Sequence, residues 1–104
     1  MIVVNVDSIP GRKHTLINLV QGSTVQAKHI GRDFMAGLKN IVGGEVTGYT
    51  EMLTEAREIA INRMITQAQG MGADAIVNVR FCSSDIADGM AEMMVYGTAV
   101  KFVE

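Results

Sequence analysis

The stretch from Arg32 to Ala60, RDFMAGLKNIVGGEVTGYTEMLTEAREIA, constrains the fold more than any other, because it reads as two helical patterns separated by Gly43-Gly44. Phe34, Leu38, Ile41 and Val42 recur at helical spacing and predict a first helix from about Arg32 to Val42, which the glycine pair then ends. Gly37 lies inside it, where glycine is costly, so its expected use is to let a neighbouring backbone approach closely. The second pattern predicts a helix from about Thr50 to Met71. Leu53, Ala56, Ala60, Met64, Gln67 and Met71 share one stripe, flanked by Met52 and Ile59, while Glu51, Glu55, Glu58, Asn62, Thr66 and Gln69 lie opposite. Thr47 or Thr50 is suited to cap its start, and Gly70 or Gly72 to supply the left-handed residue that closes it.

The flanking segments read as strands. Ile2 to Val6 alternates and predicts a short edge strand ending before a Pro10-Gly11 turn. His14 to Lys28 is rich in Thr, Val, Leu and Ile and predicts one long bent strand or two short ones, with a bulge or bend at Gly22. Two more strands are expected at Asp74 to Cys82 and about Glu92 to Val103, joined by a long polar loop, SSDIADGMA. In the first, Ala75, Val77, Val79 and Phe81 should face one way and Ile76, Asn78, Arg80 and Cys82 the other. In the second, Met94, Tyr96, Val100 and Phe102 should oppose Met93, Val95, Ala99 and Lys101. The resulting expectation is a single α+β domain over residues 1–104, two-layered, with two helices packed on a mainly antiparallel sheet.

Both faces of the last two strands carry apolar residues, and two helices can cover only one of them. Another copy of the chain is the economical cover for the second face, which predicts a homo-oligomer.

The double glycine with its flanking helices, GADAIVNVR from Gly72 and the closing GTAV from Gly97 together resemble the YbjQ-like family, small bacterial proteins labelled as heavy-metal binders. The resemblance runs over nearly the whole chain. It implies a small α+β unit that assembles into a ring-shaped pentamer; the number five comes from the resemblance alone.

Composition excludes several classes. A net charge of −2 supplies no basic field for nucleic acid. No apolar run is long enough to span a membrane, and no charged, apolar and cleavable leader opens the chain, so a cytoplasmic protein is expected. One cysteine, Cys82, excludes an intramolecular disulfide. Apolar residues make up 48% of the chain but aromatics only 5%, so the core must rest on aliphatic residues and on the 8 methionines.

For a metal, the candidate ligands are His29 and Cys82, with His14 and the methionines as further soft or borderline donors. None is spaced as C-x-x-C or H-x-x-x-H, and Met93 and Met94, adjacent on a strand, should face opposite sides. Such a site would therefore be assembled from distant segments or shared between subunits, with a transition metal as its only candidate cofactor. Asp85, Asp88 and Glu92 collect hard oxygens near the expected loop without the spacing of an EF-hand. Arg57 falls beside the apolar stripe, where it needs an acidic partner or a route to solvent. The resemblance implies Arg after the double glycine in many relatives; this chain has Glu45 there, which reverses the charge and weakens a shared anion site. No serine lies in a G-x-S-x-G elbow, neither histidine is set against a nucleophile, and no phosphate loop is present. The function that follows is a non-enzymatic assembly or binding module for a small ligand. Metal binding between subunits is the first alternative, and an enzyme with an inter-subunit site the second.

Overall fold

The computed structural model describes residues 1–27 and 47–103. Four strands, β1 (Ile2–Val3), β2 (Lys13–Ala27), β3 (Ala75–Ala87) and β4 (Met90–Val103), form one sheet in the order β1-β3-β4-β2. β4 runs antiparallel to both neighbours, and β1 lies parallel to β3. One helix, α1 (Thr47–Gly70), packs across β2 and β4 on one face.

The expected two helices on a mainly antiparallel sheet are thereby corrected to a single helix, among the described residues, on a mixed sheet. The predicted first helix from Arg32 to Val42, with Gly37 and Gly43-Gly44, lies outside the described residues. The parallel pairing follows from the path of the chain. β2 takes the far edge beside β4, which leaves the outer side of β3 to be claimed by the N-terminus running in the same direction.

The core lies between α1 and the sheet. Its helix side is a row at four-residue spacing, Met52, Ala56, Ala60, Met64 and Ala68, all buried. The sheet supplies Val20, Ile76, Met93, Val95 and Ala99. This row is rotated from the expected stripe: Gln67 is exposed and Met71 is 37% exposed, while Ala68 is fully buried. The rotation carries Arg57 into solvent, where its guanidinium donates to Thr54 Oγ1 at 3.3 Å, so it needs no partner in the core.

Three of the five residues in the row are alanines, and opposite them lies Gly22, buried in β2. A Cβ on Gly22 would collide with the Ala60 carbonyl oxygen and come within 2.5 Å of the Met64 amide nitrogen. Gly22 carries no bulge, since its pairing with β4 runs unbroken through Val95. It is where the helix backbone rests on the sheet. The irregularity of β2 falls instead between Leu16 and Asn18, so Lys13–Ala27 is one continuous strand.

Side chains of α1 and of β2 itself occupy part of the outer edge of β2. Gln67 Oε1 accepts from the Gln21 amide at 2.8 Å, Arg63 donates to the Ser23 carbonyl at 2.7 Å, and Asn18 Oδ1 accepts from the Leu19 amide at 2.8 Å. Side chains thus satisfy edge groups that would otherwise template another strand.

The helix closes as a Schellman turn. The Ala73 amide donates to the Ala68 carbonyl at 3.1 Å and the Gly72 amide to the Gln69 carbonyl at 3.0 Å, with Gly72 at φ 76°. Asp74 then ties the exit to β4: its carboxylate accepts from the Phe102 amide at 2.7 Å, and its own amide donates to the Val100 carbonyl at 2.9 Å.

The long polar connection expected between the last strands is absent. β3 runs on through Ser83, Ser84 and Asp85 to Ala87, and the hairpin turns on Asp88 and Gly89, with Gly89 at φ 74°. Asp-Gly is a strong hairpin signal. The residues before it are polar because they are exposed strand, not loop.

Candidate functional site

The register divides the side chains between two faces. On β4, Met93, Val95 and Ala99 join the core under α1, whereas Val100 and Phe102 belong to a second cluster on the opposite face, as the alternation predicts. On β3 the prediction fails partway. Ala75 and Val77 face away from the helix and Ile76 toward it, but Val79 packs with Ile76. The cause is a bulge at Asn78, which adopts φ 55° between the register positions Val77↔Thr98 and Arg80↔Tyr96. Asn is among the few residues that tolerate this left-handed region. Its amide donates to the Val6 carbonyl at 2.8 Å, and the Val79 amide to the Val4 carbonyl at 3.1 Å, so the N-terminal segment stays paired past the bulge.

The face away from α1 is covered at one end only. Residues 4–12 fold across Ala75, Val77 and Val100, with Val4, Ile9 and Phe102 packed against them. Pro10-Gly11 forms the expected turn, with Gly11 at φ 77° and the Arg12 amide donating to the Ile9 carbonyl at 3.3 Å. The Arg12 guanidinium lies 3.9 Å from the centre of the Phe102 ring and closes this end. The sheet thus covers part of its second face with its own N-terminus.

Beyond that cover the face is open. Leu16, Leu19 and Val25 on β2 are 72%, 59% and 49% exposed. They lie opposite Val100, Thr98 and Glu92 on β4, and the half-buried Met94 and Tyr96 share the same face. Where cover and open face meet is a cavity of about 330 Å³, lined by Asp7, His14, Leu16, Val77, Asn78, Thr98 and Val100. Its floor is aliphatic, and its polar groups are a carboxylate, an imidazole, an amide and a hydroxyl, the composition of a small-ligand site. Nothing in the spacing of Asp7, His14 and Asn78 announced this grouping; an asparagine inside a β-rich run was the one available hint of a bulge.

A second hollow of about 450 Å³ lies between the hairpin tip and the start of α1, lined by Met52, Leu53 and residues 85–91. Asp85 and Asp88 line it, but Glu92 does not. Glu92 stands opposite Val25 on the other face, so the three carboxylates noted in the sequence do not converge. Among the described residues, no three His, Cys, Asp or Glu side chains form a metal-sized group.

Of the predicted metal ligands, His29 lies outside the described residues. Cys82 is a free, exposed thiol on β3. The register places it directly across from Met94, on the face away from α1. His14 is not beside it: it opposes Phe102, 8 residues along β4 from Met94, or about 26 Å at strand rise. No helix of the described residues is long and apolar enough to cross a membrane.

The chain is similar over its full length to small bacterial proteins. It is 59% identical to a UPF0145 protein of Vibrio parahaemolyticus over 105 residues, covering 100% of both chains. It is 54% identical to a UPF0145 protein of Clostridium novyi over 103 residues, covering 99% of this chain and 100% of that one. Its fold is similar to the crystal structure of a DUF74-family protein of unknown function from Pediococcus pentosaceus, with a TM-score of 0.67 at 12% identity over 99% of this chain and 98% of that one. Residues 1–103 match the YbjQ family model, described as "Putative heavy-metal-binding", and the chain belongs to that family.

Proposed function

We propose that the protein is a non-enzymatic, homo-oligomeric binding module whose subunit contact and ligand site share the sheet face away from α1. One observation carries this reading: Leu16, 72% exposed, lines a cavity that combines an aliphatic floor with Asp7, His14, Asn78 and Thr98, and Leu19, 59% exposed, stands opposite Thr98 on the same face. Leucines so exposed beside a half-open cavity are costly on a monomer, and a second copy laid across them removes the cost and closes the cavity. Five copies is the number the family resemblance implies. A single domain working in the cytoplasm fits this reading, since a lone exposed thiol persists best in a reducing compartment.

Leu19→Glu places a carboxylate between the open Leu16 and Val25 without touching the helix-side core. The expected result is dissociation into monomers, read by native mass spectrometry, with the far-ultraviolet circular dichroism unchanged. A variant that assembles like the parent chain contradicts the assignment of this face.

A second reading is favoured by the placement of Cys82 opposite Met94: a metal bound on the same face, at a site shared between or lying beside the subunit contacts. Thiolate and thioether suit a soft cation, in keeping with the family description.

A further inference from the structure

The cavity of about 330 Å³ beside the N-terminal cover joins an aliphatic floor, Leu16, Val77 and Val100, to the side chains of Asp7, His14, Asn78 and Thr98. No aromatic residue lines it, so it offers no platform on which a base could stack. With the imidazole neutral, Asp7 gives the lining a single negative charge, which repels phosphates and carboxylates.

Asp7 has no cation of its own chain as partner. Among the described residues the one ion pair is Lys101 with Asp74 at 3.9 Å, and Arg80 is engaged elsewhere, donating to Asn78 Oδ1 at 3.2 Å. In an isolated subunit water solvates the Asp7 carboxylate, which is exposed. A second copy that closes the cavity displaces this water, and a carboxylate taken out of water needs a charged partner. An ammonium group on the ligand supplies it.

Asn78 shapes the rest of the ligand. Its φ of 55° is the one left-handed conformation of a non-glycine residue among the described residues, and positions held in this way cluster at ligand sites. Because Oδ1 accepts from Arg80, Nδ2 is left as the donor, while the Thr98 hydroxyl can donate or accept. Together they suit a hydroxyl oxygen. A volume near the lower bound of ligand cavities limits the body between ammonium and hydroxyl to a short aliphatic chain.

We propose that this cavity binds a small aliphatic amino alcohol in its ammonium form, with Asp7 as counter-ion, Asn78 and Thr98 on its hydroxyl, and its chain on the aliphatic floor. The assignment rests on the shared contact and ligand face described above and adds that occupancy favours association. A ligand enclosed by the second copy binds the assembled protein more tightly than the single chain, so by linkage it holds the chains together.

Calorimetric titration with aminobutanol, butylammonium, butanol and butanoate at mildly alkaline pH tests the class. Aminobutanol should bind tightest, butylammonium roughly fivefold more weakly for the loss of one neutral hydrogen bond, butanol more weakly still, and butanoate not at all. Asp7→Asn, equal in size but uncharged, should weaken aminobutanol binding by about 10- to 100-fold, the worth of a hydrogen bond to a charged group, with unchanged circular dichroism. Aminobutanol should also raise the temperature at which the assembly dissociates, read by light scattering. Butanoate binding as tightly as aminobutanol, unchanged affinity in Asp7→Asn, or no binding of any probe by the parent chain overturns the ligand assignment. A dissociation temperature that aminobutanol leaves unchanged overturns the enclosed site. Dissociation of Asp7→Asn with no amine present also overturns the assignment, because the counter-ion is then a side chain of the neighbouring copy. The shared contact face stands or falls separately, on the Leu19→Glu variant.

Discussion

Replacing Gly22 with alanine is expected to destabilise the fold by about 3 kcal/mol, the upper end of ordinary overpacking. The atoms a new methyl group would meet are all backbone: the Ala60 carbonyl oxygen, the Met64 amide nitrogen and, at 3.1 Å, the Arg63 carbonyl carbon. None can rotate aside as a side chain can, so α1 must lift from the sheet. Lifting loosens the packing of Ala60 and Met64 on Val20 and stretches the edge contacts of Gln67 with Gln21 and Arg63 with Ser23. Equilibrium unfolding in urea measures the loss as a lower midpoint at unchanged slope. Gly70→Ala is the control: nothing lies within 4 Å of a Cβ there, and the change should be neutral or mildly stabilising. Equal stability of the Gly22→Ala protein and its parent would mean that the helix does not rest on β2 at this point.

Met64→Ala is expected to cost about 2–5 kcal/mol, through lost transfer energy and a residual cavity. Met64 is among the largest fully buried side chains, with Ile76, Val20 and Val95, and it stands between Ala60 and Ala68 in the helix row, where α1 faces the sheet. Its neighbours in the row, Ala60 and Ala68, have no side-chain length with which to fill the space. Met64→Leu conserves volume and should cost less than about 1.5 kcal/mol. The same urea midpoints measure both. A small effect of the alanine substitution would show that the core under α1 collapses freely, contrary to a helix held at fixed height by the Gly22 contact.

Much of the architecture was legible in the sequence because it is written in periodicity. The helix from about Thr50, the edge strand at Ile2, the Pro10-Gly11 turn and the alternation of β4 all follow from local patterns that the packing then uses. The features that escaped depend on distant partners. Gly22 read as a bulge because a strand sequence carries no sign of the helix backbone that crosses it. Ser83 to Ala87 read as a loop because strand residues exposed on both sides lose apolar alternation, and only pairing with β4 keeps them extended. The two-helix expectation rested on a segment outside the described residues, and the parallel pairing of β1 depends on which edge β2 occupies.

The candidate site was less legible than the fold, for a related reason. Two irregularities in the β3–β4 register, at Asn78 and near Ile86, decide which residues stand opposite one another. Counting from the ends of the strands could not place Cys82 across from Met94, so Cys82 looked solitary. The cavity residues Asp7, His14 and Asn78 come from three separate segments, gathered by a bulge and by the N-terminal cover. The alternation of the last two strands did foretell apolar residues on the sheet face away from the helix layer. It did not foretell that the N-terminus would take part of that face and leave Leu16, Leu19 and Val25 exposed.

The central claim is that a second copy of the chain covers this remaining face. Sedimentation equilibrium of the unmodified protein at micromolar concentration tests it most directly. Association predicts a concentration-independent species at an integral multiple of the 11.2 kDa chain mass; a stable monomer at that mass contradicts it.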